Sequence, residues 1–337
     1  MSTIKGWAAV GPKKPLEKFE YDPGPLGPDD VEVDVEYCGV CHSDLSVVNN
    51  DWGVSRYPVI PGHEAVGKVA AVGSNAKGLK VGDRVGVGWT ASSCMSCHEC
   101  LGGDHNLCTK AQPTIMGRHG GFANKVRAHW AWTIPLPEKL DITSAGPLLC
   151  GGVTVFAPLA NFGIKGSGRV GVVGIGGLGH MGLKFASKWG CEVTAFTTSD
   201  SKADEARGFG AHNVVNTRNK DSLRSIKGSL DLLLVTVNAT LDWPAMLDTL
   251  RPKGRMHVVG AVTEPMGIPA FPLIFGQKSV SGSPTGSPTM IADMLEFSAR
   301  HEIGPQVEHF KMSDVNAAFE RLESGKARYR IVLDADF

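Results

Sequence analysis

Four cysteines in one short stretch carry the densest chemical signal in the chain: Cys94-x-x-Cys97-x-x-Cys100, then seven residues, then Cys108. Four thiolates at this spacing satisfy a closed tetrahedral zinc site. Such a site leaves no coordination position open, so it holds a lobe together rather than doing chemistry. An iron–sulfur cluster is the other four-cysteine reading, but no proline follows Cys108 and the spacing favours zinc. His98 and His105 are interleaved and read as solvent-facing loop residues.

A second set of donors is scattered. Cys38-Gly39-Val40-Cys41-His42-Ser43-Asp44 is followed, further on, by Pro61-Gly62-His63-Glu64. A catalytic zinc needs few protein ligands and an open position, with thiolate and imidazole as common donors. Cys41 and His63 are such donors, and Glu64 is adjacent. Each alone has a plainer reading, since a buried cysteine is usually a small hydrophobe and a lone histidine a hydrogen-bonded structural residue. Asp44 either accepts the free ring N–H of a ligating His63 or, with Ser43, caps a short helix; both can hold. Cys150, in Leu148-Leu149-Cys150-Gly151-Gly152-Val153-Thr154, stands at the entry to an expected helix. It is the third candidate ligand, or else a buried structural cysteine.

The third chemical stretch is Val170-Gly-Val-Val-Gly174-Ile175-Gly176-Gly177-Leu178-Gly179-His180. A β-branched run turns into a helix-compatible sequence through G-x-G-x-x-G. That geometry aims backbone N–H groups and a helix N-terminus at one spot. Gly174 permits the tight turn, Gly176 lets a pyrophosphate approach, and Gly179 lets helix and strand pack. In a chain with 42 glycines the bare pattern is weak, and the strand before it and helix after it make the argument. The next strand ends in Phe196-Thr197-Thr198-Ser199-Asp200-Ser201-Lys202. An NAD site wants an acid at the strand tip. Here the tip carries hydroxyls, with a lysine close by, which suits a 2′-phosphate and favours NADP. Asp200 is either the displaced acid or a helix cap.

The elements that must position these groups fall into three parts. Residues 1 to 36 read as strands and turns broken by prolines, and Val31-Glu-Val-Asp-Val-Glu36 alternates as a half-buried strand whose charges form a solvated face. Glycine-broken strands at Val66–Gly73 and Val81–Gly88 indicate a compact, barrel-like β domain. Residues 109–140 continue as strands and turns, with Trp130 and Trp132 as packing residues. From Arg169 a βαβ rhythm sets in, with strands at Val170–Gly174, Glu192–Thr197, Asn213–Asn216, Leu230–Val235, Arg255–Gly260 and Ser279–Gly282 and helices between the first five, as in a doubly wound parallel sheet. The last stretch leaves that rhythm, with helices near Met290–Arg300 and Ser313–Ser324 and a final strand Tyr329–Leu333 that should rejoin the first domain.

Composition limits the function classes. At 337 residues two domains are the natural expectation. Lys+Arg and Asp+Glu balance at 34 each, against a nucleic-acid binder. No apolar run has the length of a membrane span and the start has no signal-peptide core, so the expectation is a cytoplasmic protein that uses its eight cysteines as thiols and metal ligands.

With these residues in place the chain resembles the zinc-dependent medium-chain alcohol dehydrogenases, and within them the cinnamyl alcohol dehydrogenase-like group. The resemblance covers essentially the whole length. It rests on Cys38–Asp44, Gly62-His63-Glu64, the four-cysteine lobe, Cys150-Gly-Gly-Val-Thr154, Gly174–Gly179, and Thr197-Thr198-Ser199 with Lys202. It implies an α/β fold: a GroES-like, β-rich catalytic domain over 1–150 with a structural-zinc lobe at 92–108, a Rossmann doubly wound parallel sheet over 151–287, and a return to the catalytic domain over 288–337.

The resemblance further implies two zinc ions per chain and NADP(H). Cys41, His63 and Cys150 would hold catalytic zinc, with Glu64 a near or alternative ligand, and the other four cysteines would hold the structural ion. Ser43 would take the substrate hydroxyl proton, and Thr154 would pack against the nicotinamide. Thr197, Thr198, Ser199 and Lys202 would meet the 2′-phosphate. Trp52 and Trp89 would line a pocket for bulky or aromatic aldehydes and alcohols. A homodimer, with neither nucleic acid nor membrane as partner, is the associated expectation. One departure is Ser46, where many relatives carry a histidine that passes the proton outward; either His42 or water then finishes the relay. Another is the short run from Cys108 to Phe122. The rivals are a polyol dehydrogenase and a zinc-independent quinone or enoyl reductase of the same superfamily. A nucleic-acid zinc ribbon is opposed by the lack of any Lys or Arg between Arg84 and Lys110.

Overall fold

The structure is a computed structural model and describes residues 3–337. It divides into two compact units. One comprises the chain up to Val153 together with Thr285–Phe337, and the other is Thr154–Pro284.

The first unit is built on the long strand Asp30–Val40. Ala65–Val72 pairs with it on one side; Lys125–His129 and then Arg330–Asp334 pair on the other. Register shifts between Glu32 and Val33 and between Val35 and Tyr37 bend this strand, which is how one strand can serve two neighbours in succession. The main path runs Val307–Lys311, Arg330–Asp334, Asp30–Val40, Ala65–Val72, Arg84–Val87, Thr133–Pro135. With Lys125–His129, which pairs with the long strand off this path, this makes one seven-stranded sheet among the described residues, and Ala65–Val72 and Arg84–Val87 in it are the strands that the glycine-broken segments indicated. Val31, Val33, Val35, Val69, Val85 and Phe122 fill the core on its inner face.

The outer charges of the long strand are not all solvated, as the alternation implied. Glu32 is buried at 5% exposure, because Arg127 (2.8 Å) and Lys125 (3.1 Å) reach it from the neighbouring strand. Trp132 is buried and donates its ring N–H to Ser93 at 3.1 Å, while Trp130 is half-buried.

In the second unit six parallel strands lie in the order Asn213–Asn216, Glu192–Thr197, Arg169–Val173, Leu230–Val235, Leu250–Val258, Ser279–Gly282. In chain order this is 3-2-1-4-5-6, the doubly wound dinucleotide-binding order, which switches direction beside the first strand. Leu233 and Val235 alternate with Leu232 and Leu234, and all four are buried, as a strand covered on both faces requires. The fifth strand begins earlier than the apolar pattern showed, because Leu250 pairs with Leu230 across an irregularity before the regular ladder starts at Arg255. A short helix, Ala270–Gly276, also lies between the fifth and sixth strands. Among the described residues no single helix is long and apolar enough to cross a membrane.

Candidate functional site

Cys41 is the residue before the helix His42–Asn49, in extended conformation at φ −111° and ψ 156°. Ser43 and Asp44 therefore lie within the first helical turn rather than ahead of it. A sulfur at this place faces the positive end of the helix, which favours the thiolate. Asp44 is fully buried, and its carboxylate ties two chain segments together. Oδ2 accepts the Cys41 N–H at 2.9 Å, while Oδ1 accepts the Gly62 N–H and the His63 Nδ1–H, each at 2.8 Å. Both roles weighed for Asp44 are present: it braces the helix start and it orients the imidazole.

With Nδ1 donating to Asp44, His63 presents Nε2 as a lone pair. That nitrogen is buried and has no hydrogen-bond partner. The ligand atoms of Cys41, His63, Glu64 and Cys150 all lie within 4.8 Å of one another, and every one of these residues is buried. A buried acceptor without a donor costs about 1–3 kcal/mol unless something satisfies it. Two sulfurs and one imidazole aimed at a common point, with that imidazole nitrogen unpaired, fit a tetrahedral zinc ion with a fourth position to spare.

The electrostatics agree. Cys150 hydrogen-bonds to Cys41 and holds it well below the usual thiol range against the effect of burial, with Arg330 and His63 helping. Cys150 is pushed up by the same hydrogen bond and by burial. For His63, burial favours the neutral ring, and Asp44 and Cys41 outweigh it. A dication takes the place of these shared protons, so loading would release them.

Glu64 is fully buried and is pushed up to about 7 by burial, against the pull of Arg330. Its Oε1 is ion-paired with Arg330, from the strand Arg330–Asp334, and its Oε2 has no partner. A Cβ on Gly39 would collide with that Oε2, so the glycine in Cys38-Gly-Val-Cys41 makes room for the carboxylate. Arg330 was missed in the sequence. The available signal was a cation inside the run Tyr329-Arg-Ile-Val-Leu, since a charge in a buried strand needs a partner.

The ring of Trp89 stands edge-on to His63 at 5.0 Å, and Trp52 stands edge-on to Trp89 at 6.1 Å with 41% of its surface exposed. An aromatic wall thus leads from a metal-ligand candidate to the surface. Ser43 is half-buried and His42 exposed on the same helical turn, and Ser46 is buried further along.

In the lobe, the ligand atoms of Cys94, Cys97, Cys100 and Cys108 also lie within 4.8 Å of one another. The backbone N–H of Cys97 points at Cys94 Sγ (3.3 Å) and that of Lys110 at Cys108 Sγ (3.4 Å). Amides from Ser96 and Cys97 pull Cys94 down to about 6. Sulfurs that accept backbone amides, as those of Cys94 and Cys108 do, are suited to bind as thiolates, and four cysteine sulfurs gathered this closely fit a closed zinc site. His98 is exposed; His105 is half-buried instead, with Nδ1 3.4 Å from Ser93 Oγ. The lobe is anchored by Asn106, which donates to the Thr285 carbonyl at 2.8 Å.

In the second unit Gly174 has φ +90°, the space over Gly176 is open, and a Cβ on Gly179 would strike the Gly174 carbonyl. The turn therefore needs a left-handed residue, offers a clear approach, and closes tightly onto the helix Gly179–Lys188. Lys202 reaches over this turn, its Nζ 3.4 Å from the Ile175 carbonyl. Thr198 is exposed and Ser199 half-buried. Thr197 differs from expectation: it is buried, and its hydroxyl accepts the Ser199 N–H at 3.2 Å, so it shapes the strand tip. Asp200 does not cap the next helix: it is the first residue of the turn Asp200–Lys202, which Ser199 caps, and its Oδ1 accepts the Asn216 side-chain amide at 3.0 Å. Thr154 is buried in the helix Gly151–Asn161, which opens directly after Cys150.

Comparison with known proteins agrees with this chemistry. Residues 27–138 match the family model described as alcohol dehydrogenase GroES-like domain, and residues 177–300 match zinc-binding dehydrogenase. The chain is 51% identical over 330 residues to aldehyde reductase AdhA of Synechocystis sp., covering 98% of each. It is similar to the solved structure of cinnamyl alcohol dehydrogenase 4 from Sorghum bicolor, at 38% identity and TM-score 0.94 over 99% of this chain and 98% of that one. The structure of CAD from Helicobacter pylori in complex with NADP(H) matches at 29% identity and TM-score 0.90, covering 98% of both. The chain belongs to the zinc-type medium-chain alcohol dehydrogenases, in the group of the cinnamyl alcohol dehydrogenases.

Proposed function

We propose that this protein interconverts aldehydes and primary alcohols, with zinc and NADP(H) as cofactors, and that bulky or aromatic aldehydes are its better substrates. The observation that carries the reading is the buried group Cys41, His63, Glu64 and Cys150 with His63 Nε2 left for a ligand. When bound, zinc at this group supplies a Lewis acid for a carbonyl oxygen, and the nicotinamide supplies or accepts the hydride.

The chain's residues do the rest. Cys41, His63 and Cys150 hold the catalytic ion, and Asp44 fixes the imidazole that serves it. Glu64 stands beside them, held back by Arg330. Ser43 Oγ exchanges a proton with the substrate oxygen, and His42, exposed on the same turn, or a water passes it to solvent. Thr154 packs against the nicotinamide. The Gly174-Ile-Gly-Gly177-Leu178-Gly179 turn takes the pyrophosphate, while Thr198, Ser199 and Lys202 take the 2′-phosphate on a tip braced by Thr197. Trp52 and Trp89 form the wall against which a substrate ring lies. The four-cysteine group holds a second, structural zinc ion.

The finer assembly we propose is a homodimer. Phe271, Ile274 and Phe275 are 71, 66 and 82% exposed on one short helix, and the uncharged strand Ser279–Gly282 forms the edge of the sheet next to it. An unprotected edge with an apolar neighbour suits a two-fold partner. None of the eight cysteines is joined in a disulfide, which suits the cytoplasm.

The test is a steady-state panel of aromatic and aliphatic aldehydes with NADPH and NADH, alongside metal analysis of the Cys41→Ser variant. The expected result is preference for NADPH and loss of both reductase activity and one zinc ion in the variant. Activity surviving without that ion would overturn the mechanism. NADH preferred by about tenfold, or about 1.4 kcal/mol, would overturn the assignment of the strand tip.

A further inference from the structure

We propose that His180 is a positioning residue for the cofactor's pyrophosphate: its ring locks one peptide of the glycine turn so that the Gly177 N–H faces the ligand. The inference rests on the dinucleotide reading above and adds to it a residue outside the glycine pattern.

His180 is the second residue of the helix Gly179–Lys188 and is fully buried. Its backbone N–H donates to the Gly176 carbonyl at 3.1 Å, the ordinary first bond of a helix. Its ring Nδ1 lies 3.0 Å from the same oxygen. A carbonyl can only accept, so Nδ1 carries the proton and donates. The Gly176 oxygen is thus gripped by two donors of one residue. The ring in turn stands edge-on to Phe209 at 5.5 Å, which fixes its plane.

The consequence follows from the planar peptide. The Gly176 C=O and the Gly177 N–H belong to one trans unit and point in opposite directions. Holding the oxygen toward the buried ring therefore turns the Gly177 N–H away from it. Glycine gives this peptide wide freedom of its own, and a peptide that could flip would present its carbonyl, with the wrong sign, to a phosphate. No atom lies within 4 Å of where a Gly176 side chain would begin, so the ligand's approach stays clear. The glycine supplies access and the histidine supplies orientation, and the entropy of fixing the peptide is spent on folding rather than on binding.

The experiment compares His180→Leu, which keeps bulk and removes the donor, with His180→Asn, whose side-chain amide nitrogen can occupy the place of Nδ1. Binding of NADPH and of adenosine 2′-monophosphate, which has no pyrophosphate, is measured on the zinc-replete protein. For His180→Leu, NADPH should bind about five- to tenfold more weakly, the worth of one hydrogen bond. Adenosine 2′-monophosphate should bind as in the wild type, and His180→Asn should restore NADPH affinity to within about twofold. Equal loss for both ligands, unchanged NADPH affinity, or failure of the asparagine to rescue would each overturn the proposal. If the wild type prefers NADH, the 2′-phosphate reading fails, yet the same His180→Leu loss should then appear with NADH, because both cofactors share the pyrophosphate.

Discussion

Replacing Arg330 with methionine tests the buried Glu64–Arg330 charge balance beside the candidate metal ligands. Glu64 is completely buried, and the Arg330 side chain is 5% exposed. Breaking such a pair at one end costs about 3–5 kcal/mol, because the survivor is left as an uncompensated charge. The structure points to the low end. Glu64 sits at about 7 even with the guanidinium beside it, so without Arg330 it will take up a proton rather than remain ionised. The loss at neutral pH should be about 3 kcal/mol.

Its pH dependence has a definite sign. A carboxyl whose folded pKa is raised binds more protons in the native than in the unfolded state, so stability falls as pH rises above its unfolded value. The deficit of Arg330→Met should therefore be smaller near about pH 5.5 than near about pH 8. The double variant Glu64→Gln/Arg330→Met should recover at least about half of the loss, since two thiolates already balance a zinc dication and the ion pair balances itself. The assay is urea unfolding of zinc-replete protein at both pH values. A single variant within about 0.5 kcal/mol of wild type, or a double variant whose cost is the plain sum of its parts, would refute the reasoning.

Further outcomes follow from the same geometry. Asp44→Ala removes the acceptor that holds both the Cys41 backbone and the His63 ring. Catalytic-site zinc affinity should fall about 10- to 100-fold, read by competition with a chromogenic chelator, while the structural ion stays bound. Cys100→Ser should reduce bound zinc from about two ions to about one and make the segment 92–108 the first site of proteolysis. His257 is buried between the hydroxyls of Ser281 and Ser283, each 2.9 Å away, and burial lowers it to about 4. Kept neutral in the fold, it contributes stability that is whole above about pH 6.5 and lost toward about pH 4. His257→Gln should flatten that slope, by on the order of 1–2 kcal/mol in denaturant titrations. Replacing both Phe271 and Phe275 with serine should halve the mass seen in sedimentation, and a dimer of unchanged strength would sink the assignment of that face.

What the chain discloses before folding depends on how local each constraint is. The four-cysteine lobe needs its ligands close together, so spacing alone exposes it. The parallel strands are covered on both faces, so Leu230–Val235 reads as an apolar run broken only by Asp231, and its bounds agree with the structure. The helix Ala270–Gly276 escaped because its aromatic residues face solvent and it carries a proline, which leaves no amphipathic pattern to detect. Arg330 escaped for a different reason: its partner is 266 residues away, and only the fold brings them together.

Asp44 and His180 mark the boundary between the two cases. Both lie inside recognisable motifs, yet each acts through an atom the motif does not specify, one as acceptor for a backbone N–H and a ring, the other as a second donor to a glycine carbonyl. Ligands must reach the metal or the phosphate, so their types are constrained and legible. The groups that aim them need only a hydrogen bond of the right direction, and several residue types can supply one. Orientation is therefore the less legible part of this site: the acceptor role of Asp44 can be named from the sequence, the donor role of His180 only from the fold, and Asp44→Ala and His180→Leu are the substitutions that separate orientation from ligation.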